Sequence, residues 1–93
     1  MRKVFTNGCF DLLHIGHAKL LEFAGRQGDY LVVGIDDDKS VESLKGPNRP
    51  IVPIEERAQL IASIKWVDEV VVFNGDEELK ALLEEIDPAV AVK

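Results

Sequence analysis

Two apolar patterns alternate along this sequence, and the alternation leaves few folds open to it. Short β-rich runs occupy residues 3–6, 30–35 and 69–73, with a fourth at 89–92, and stretches of helical spacing lie between them. Leu31-Val32-Val33 and Val70-Val71-Val72 are unbroken apolar triplets, as expected of strands covered on both faces in a parallel sheet. Residues 15–26 carry Leu20, Leu21 and Ala24 on one helical face. Residues 54–65 carry Ile54, Ala58, Ile61 and Ile64 or Lys65, and residues 76–86 carry Leu79, Leu82, Leu83 and Ile86 at i, i+3, i+4, i+7. Asp76 reads as the N-cap of the last helix and Asp87-Pro88 as its stop. The order β-α-β-α-β-α-β predicts an α/β fold, a parallel sheet joined by right-handed crossovers. Residues 36–53 break the rhythm. They open on three acids and continue through Lys45-Gly46-Pro47-Asn48-Arg49-Pro50, with at most a helical turn at 39–44. A loop of that length in a small domain is usually functional.

Size and charge narrow the function. The 93 residues make one domain, 1–93, and a chain this short buries about 60–65% of its unfolded surface. Eleven Lys and Arg against 17 Asp and Glu give a net charge of −6, which argues against a sequence-independent nucleic-acid binder. One local cationic cluster would still suffice for a small phosphorylated ligand. No apolar run approaches the roughly 20 residues of a membrane span, and Met1-Arg2-Lys3 leads into no signal-peptide core. The lone Cys9 excludes an internal disulfide and a cysteine-based zinc cluster, so a reducing, cytoplasmic setting is expected.

The chemistry concentrates where the first strand gives way to the first helix, in Thr6-Asn7-Gly8-Cys9-Phe10-Asp11 followed by His14-Ile15-Gly16-His17. In open α/β sheets, ligands bind beyond the carboxyl ends of the strands, beside helix N-termini whose free N–H groups and dipole favour an anion. Gly8 allows close approach of the backbone to a ligand. His14 and His17, at i and i+3, lie on one side of the first turn and can offer two donors to phosphates. Gly16 between them leaves room for a flat base. A pair of histidines at this spacing could also ligate a metal, but no third ligand beyond Asp11 is near.

The stretch from Thr6 to His17 resembles the signature of the cytidylyltransferase-like nucleotidyltransferases. The resemblance continues through Leu44-Lys45-Gly46-Pro47-Asn48-Arg49-Pro50, Glu55-Glu56-Arg57 and Trp66-Val67-Asp68-Glu69-Val70, and so covers essentially the whole chain. The Leu-Lys-Gly-x-x-Arg-Pro segment is most similar to the adenylyltransferase domain of the bifunctional heptose-phosphate enzymes of lipopolysaccharide synthesis. Asp11-Leu12-Leu13-His14 and the residues from Gly28 to Val33 also resemble glycerol-3-phosphate cytidylyltransferases. His14-Ile15-Gly16-His17 spells the class I aminoacyl-tRNA synthetase signature too, but this chain is far too short and lacks their second lysine motif.

The resemblance implies a Rossmann-like three-layer fold with strand order 3-2-1-4 and helices on both faces. It implies a reaction in which a nucleoside triphosphate, carried with Mg²⁺, gives its nucleoside monophosphate to a phosphorylated acceptor and releases pyrophosphate. AMP transfer from ATP to a heptose-1-phosphate-like sugar phosphate is the leading expectation. CMP transfer to glycerol phosphate or another polyol phosphate is the alternative, and a nucleotide-binding or assembly module without turnover is the alternative of another class. By the same resemblance His14 and His17 bind the phosphates, and Lys45 contacts them across the reaction centre unless it is a solvated loop lysine. Gly8, Gly16 and the backbone N–H groups of Cys9 and Phe10 adjoin the nucleotide. The Cys9 thiol is not expected to be chemical, and Phe10 also reads as core. Arg57 corresponds to an arginine at the nucleotide; the alternative is a surface pair with a glutamate. Asp11 lies near the acceptor or caps the following turn, and Arg49 binds sugar phosphate or braces the loop. Asp37 and Asp38 read as a solvated acidic turn. Family members continue past this point with another strand and a Ser/Thr-rich segment opening a final helix. The domain therefore reads as shortened at its C-terminal side, with weak nucleotide binding and little turnover expected from it alone. A homodimer is expected from the small core and from the family.

Overall fold

All four expected strands form, and all are parallel. The computed structural model describes residues 1–92. In chain order the elements are β1 (Lys3–Gly8), α1 (Ile15–Gly25), β2 (Tyr30–Asp36), α2 (Asp38–Lys45), α3 (Ile54–Ala62), β3 (Glu69–Phe73), α4 (Gly75–Ile86) and β4 (Val90–Val92). The sheet order is β3-β2-β1-β4, as the resemblance implies. Val4 pairs with both Leu31 and Val90, and Val33 with both Thr6 and Val70, so β1 and β2 are the interior strands. Their apolar runs are buried on both faces: Val4, Phe5, Leu31, Val32, Val33 and Ile35 are all essentially inaccessible.

The core lies on one face. Val4, Leu31, Val33 and Ile35 meet Leu21 and Ala24 of α1 and Ile61 of α3 there, with Trp66, Val70 and Val92 at its margin. The first two crossovers step the same way along the sheet, which puts α1 and α3 on one side. The return from β3 to β4 runs the other way, so the right-handed rule sends α4 to the opposite face. The helices thus sandwich the sheet, and every strand ends at a single edge, where Gly8, Asp36 and Phe73 stand side by side.

The irregular segment is more ordered than its composition suggests. The single turn expected at 39–44 is the two-turn helix α2, capped by Asp37, whose Oδ1 accepts from the Ser40 N–H at 2.8 Å. Val41 anchors it with no exposed surface. Asp37 and Asp38 are therefore not a solvated turn. Asp37 also accepts from the Asn74 side chain, and this diverts Asn74 from capping α4 with its amide. Helix α4 starts at Gly75, so Asp76 falls in its first turn instead of capping it.

The edge strand β3 is fastened to β2 by Asp68, just before it. The Asp68 carboxylate accepts from the buried Leu31 N–H at 2.7 Å, and the Asp68 N–H donates to the Leu31 carbonyl at 3.0 Å. An Asp68→Ala variant leaves that N–H unpaired and should lose about 1–3 kcal/mol. The loss should appear as a lower denaturant midpoint with an unchanged slope.

Candidate active site

Beyond β1 the chain makes a sharp turn that depends on Phe10. This residue adopts φ 51°, a left-handed conformation, and its ring drops into the core with 4% exposure. A Cβ at Gly8 would sit 3.2 Å from the Phe10 ring, so the glycine makes room for that ring. The Phe10 ring in turn supports His17, their centroids 5.3 Å apart.

The histidines cap α1 reciprocally. His14 is the N-cap, and its Nδ1 accepts from the Gly16 N–H at 3.0 Å; His17 Nδ1 accepts from the His14 N–H at 3.2 Å. The rings lie 4.0 Å apart, tilted by 32°. A nitrogen that accepts from a backbone N–H carries no proton, so in each neutral ring the proton sits on Nε2. The His14 and Gly16 backbone donors at the helix start are thus taken by the imidazoles, which present Nε2–H donors in their place. A Cβ at Gly16 would meet the His14 ring at 2.8 Å, so the glycine accommodates that ring. Burial lowers the pKa of His17 below the ordinary imidazole value, and the charges of His14 and Lys45 push the same way.

These residues line an open cleft of about 350 Å³ with Cys9, Lys45 and Arg49. Lys45 ends α2 and Arg49 follows in the loop, so the cleft gathers two cationic side chains and two imidazole donors in a protein of net charge −6. Cys9 is half-buried, and its thiol lies 3.6 Å from Asp36 Oδ2. Burial and the Asp36 carboxylate raise the thiol pKa, which keeps it protonated and unreactive.

Two expected contacts turn inward. Asp11 lines the cleft but is only 4% exposed, and its carboxylate is already occupied. It accepts from the Ile51 and Val52 N–H groups, each at 2.9 Å, and pairs with Arg49. Burial alone would raise its pKa, but the Val52 and Ile51 donors and the Arg49 guanidinium outweigh this and hold it below the ordinary Asp value. Arg57 departs further from expectation. It has no exposed surface and does not line the cleft. Its Nε donates to the Val52 carbonyl at 2.8 Å, its Nη1 to the Cys9 and Asp36 carbonyls at 2.7 and 2.8 Å, and its Nη2 to Asp38 Oδ1 at 2.6 Å. The sequence held a signal for this. Ile54, Arg57, Ala58 and Ile61 follow i, i+3, i+4, i+7, so the arginine occupies an inward slot of α3. Among the described residues no three His, Cys, Asp or Glu side chains cluster as metal ligands, and the Asp11 oxygens are engaged.

The family model described as cytidylyltransferase-like matches residues 5–93. The chain belongs to that family. Among cytidylyltransferase-like proteins it is 52% identical over 92 residues to the bifunctional protein HldE of Geobacter sulfurreducens, and 53% identical over 90 residues to HldE of Helicobacter pylori strain P12. These matches cover 99% and 97% of this chain but only 19% of each relative. The chain thus spans about a fifth of the length of the curated relatives it matches. The solved lipopolysaccharide core biosynthesis protein of Thermoplasma volcanium superposes with a TM-score of 0.86 at 30% identity, covering 98% of this chain and 72% of that one. The family's Rossmann-like architecture is therefore the fold of this chain.

Two outcomes follow from the site geometry. Asp11→Ala strands two backbone donors and a guanidinium and should cost about 2–3 kcal/mol of unfolding free energy in denaturant titration. Acid should act through His17 before it acts through Asp11. The folded-state His17 pKa lies below the ordinary 6.5, so the unfolded chain takes up the proton first. That part of the stability is complete above pH 6.5 and falls as pH drops toward the folded value. The Asp11 contribution is complete above the ordinary 3.8 and is lost as pH falls through its lower folded value. Melting temperature against pH should lose its first decline in a His17→Gln variant and keep its second.

Proposed function

We propose that the cleft is the catalytic centre of a nucleotidyltransferase that moves AMP from ATP to a sugar phosphate of the heptose-1-phosphate type. The observation that carries the reading is the pair of capping histidines. Each has Nδ1 committed to the helix backbone and Nε2–H free, at the rim of a cleft that also holds Lys45 and Arg49. The choice of ATP and a heptose phosphate leans on likeness to the HldE proteins, named as bifunctional.

In this reading an oxygen of the acceptor phosphate attacks the α-phosphorus in line. A new P–O bond forms to the nucleoside monophosphate, the bond between the α-phosphorus and its bridging oxygen breaks, and pyrophosphate leaves with that oxygen. No covalent enzyme intermediate is needed. The protein contributes fixed geometry and charge stabilisation. His14 and His17 donate from Nε2 to the triphosphate, Lys45 neutralises charge as it shifts toward the leaving group, and Arg49, 32% exposed, keeps guanidinium donors for the acceptor phosphate. Any Mg²⁺ enters on the triphosphate as part of the substrate.

A pyrophosphate-release assay crossing four nucleoside triphosphates with sugar and polyol phosphates tests the reading. Release with ATP and a heptose phosphate supports it, and release only with CTP and a polyol phosphate would replace it with the cytidylyl reading. Absence of both release and calorimetric nucleotide binding would reject the cleft as a transfer site. His14→Ala and His17→Ala should each lower turnover by about 10²–10³-fold if each acts as one oxyanion-type donor. Lys45→Ala should weaken nucleotide binding, and less so at high ionic strength.

A further inference from the structure

Arg57 touches nothing in the cleft, yet it binds each of the segments that carry the cleft's side chains. Its Nη1 holds the carbonyl of Cys9, just beyond the end of β1, and that of Asp36, the last residue of β2, paired with Phe73. Its Nε holds the Val52 carbonyl, in the loop that Asp11 ties down through the Ile51 and Val52 N–H groups. Its Nη2 pairs with Asp38, the first residue of α2.

The contact with Asp38 reaches furthest. Helix α2 has eight residues, a rod of about 12 Å. Asp38 stands at one end and Lys45 at the other. They are seven residues apart, so they share one helical face. The Asp37 cap, the buried Val41 and the Ser40 hydroxyl donating to Asp36 hold the first turns of the helix, and the Arg57–Asp38 pair is a charged contact that resists rotation of the helix about its own axis. A buried guanidinium enforces this strictly, because a shift of the carboxylate would leave an unpaired charge without access to water.

We propose that Arg57 is a positioning residue that acts through Asp38: the pair sets the rotation of α2 and thereby aims Lys45 at the cleft. The proposal rests on reading the cleft as a triphosphate site. Arg57 itself is a poor variant to test, since its loss orphans three carbonyls and threatens folding. Asp38, with its side chain 43% exposed, is the tractable partner.

The experiment measures ATP affinity by calorimetry in the 93-residue protein and in Lys45→Ala, Asp38→Ala, Asp38→Asn and the Asp38→Ala/Lys45→Ala double variant. Lys45→Ala and Asp38→Ala should each weaken binding about tenfold, and the double variant should be no weaker than Lys45→Ala alone. Asp38→Asn keeps an oxygen for Nη2 and should bind within about twofold of wild type, although both Asp38 variants melt earlier. Losses that add in the double variant, or wild-type affinity in Asp38→Ala, would overturn the proposal. Amide hydrogen exchange provides a second readout that needs no ligand. Asp38→Ala should speed exchange in α2 selectively, and unchanged or uniformly faster exchange would count against it. If the wild type binds no triphosphate, the reading of the cleft fails, and the exchange experiment alone decides whether the pair orders α2.

Discussion

The site end of this molecule is assembled around a guanidinium that water cannot reach. A buried cation is costly unless charge and hydrogen bonds compensate it, and Arg57 has both in Asp38 and three main-chain carbonyls. Those carbonyls belong to the ends of two strands and to a loop more than forty residues along the chain from the first of them. One side chain therefore does at the carboxyl edge of the sheet what the ladder does along its length: it holds separate segments in one register. Asp11 plays the matching part on the other side of the loop, where an anion binds two amides and a guanidinium. The two buried charges share the loop at Val52, Arg57 through its carbonyl and Asp11 through its N–H, so the loop is clamped on both sides of a single residue.

The second organising element is local. A helix start ordinarily exposes unsatisfied amides that attract anions directly. In α1 the two histidines take up the His14 and Gly16 amides, and each imidazole becomes a relay that accepts at Nδ1 and can donate at Nε2. Accepting a bond at one ring nitrogen polarises the ring and strengthens the donor at the other. Phe10 beneath His17 and Gly16 beside His14 fix the rings sterically, which explains the small residue and the large one at those positions.

Much of this was legible in the sequence. The β3 boundaries coincide with the expected run, and β1, β2 and β4 differ by one or two residues. Their signal is apolar periodicity, which is local. The strand order came from family likeness, since short strands do not state their neighbours. Helix α2 has little sequence signal because only Val41 and Leu44 are apolar in it, and its stability comes from a cap and one anchor residue. At the site, the placement of His14, His17 and Lys45 around one cleft was legible, because spacing and loop position carry it. The inward turn of Asp11 was not, and for Arg57 the helical spacing marks an inward slot on α3 without naming its partners. Their partners lie some twenty to fifty residues away in the chain, and no window of sequence contains both ends of such a contact.

The tautomer fixed by the helix cap bears on how the cleft would release what it holds. Two imidazolium rings there would each add a full positive charge within a few ångströms of a bound polyphosphate. At an effective dielectric of 20, a unit pair at 4 Å attracts by about 4 kcal/mol. Such a grip would outlast the reaction and slow departure of a highly charged product. Committing Nδ1 to the backbone makes both imidazole donors directional, and burial, by lowering the His17 pKa, favours its uncharged form. If the cleft works as proposed, the same cap that starts α1 would favour a short residence time for pyrophosphate, with Lys45 and Arg49 as the cationic side chains it would have to leave.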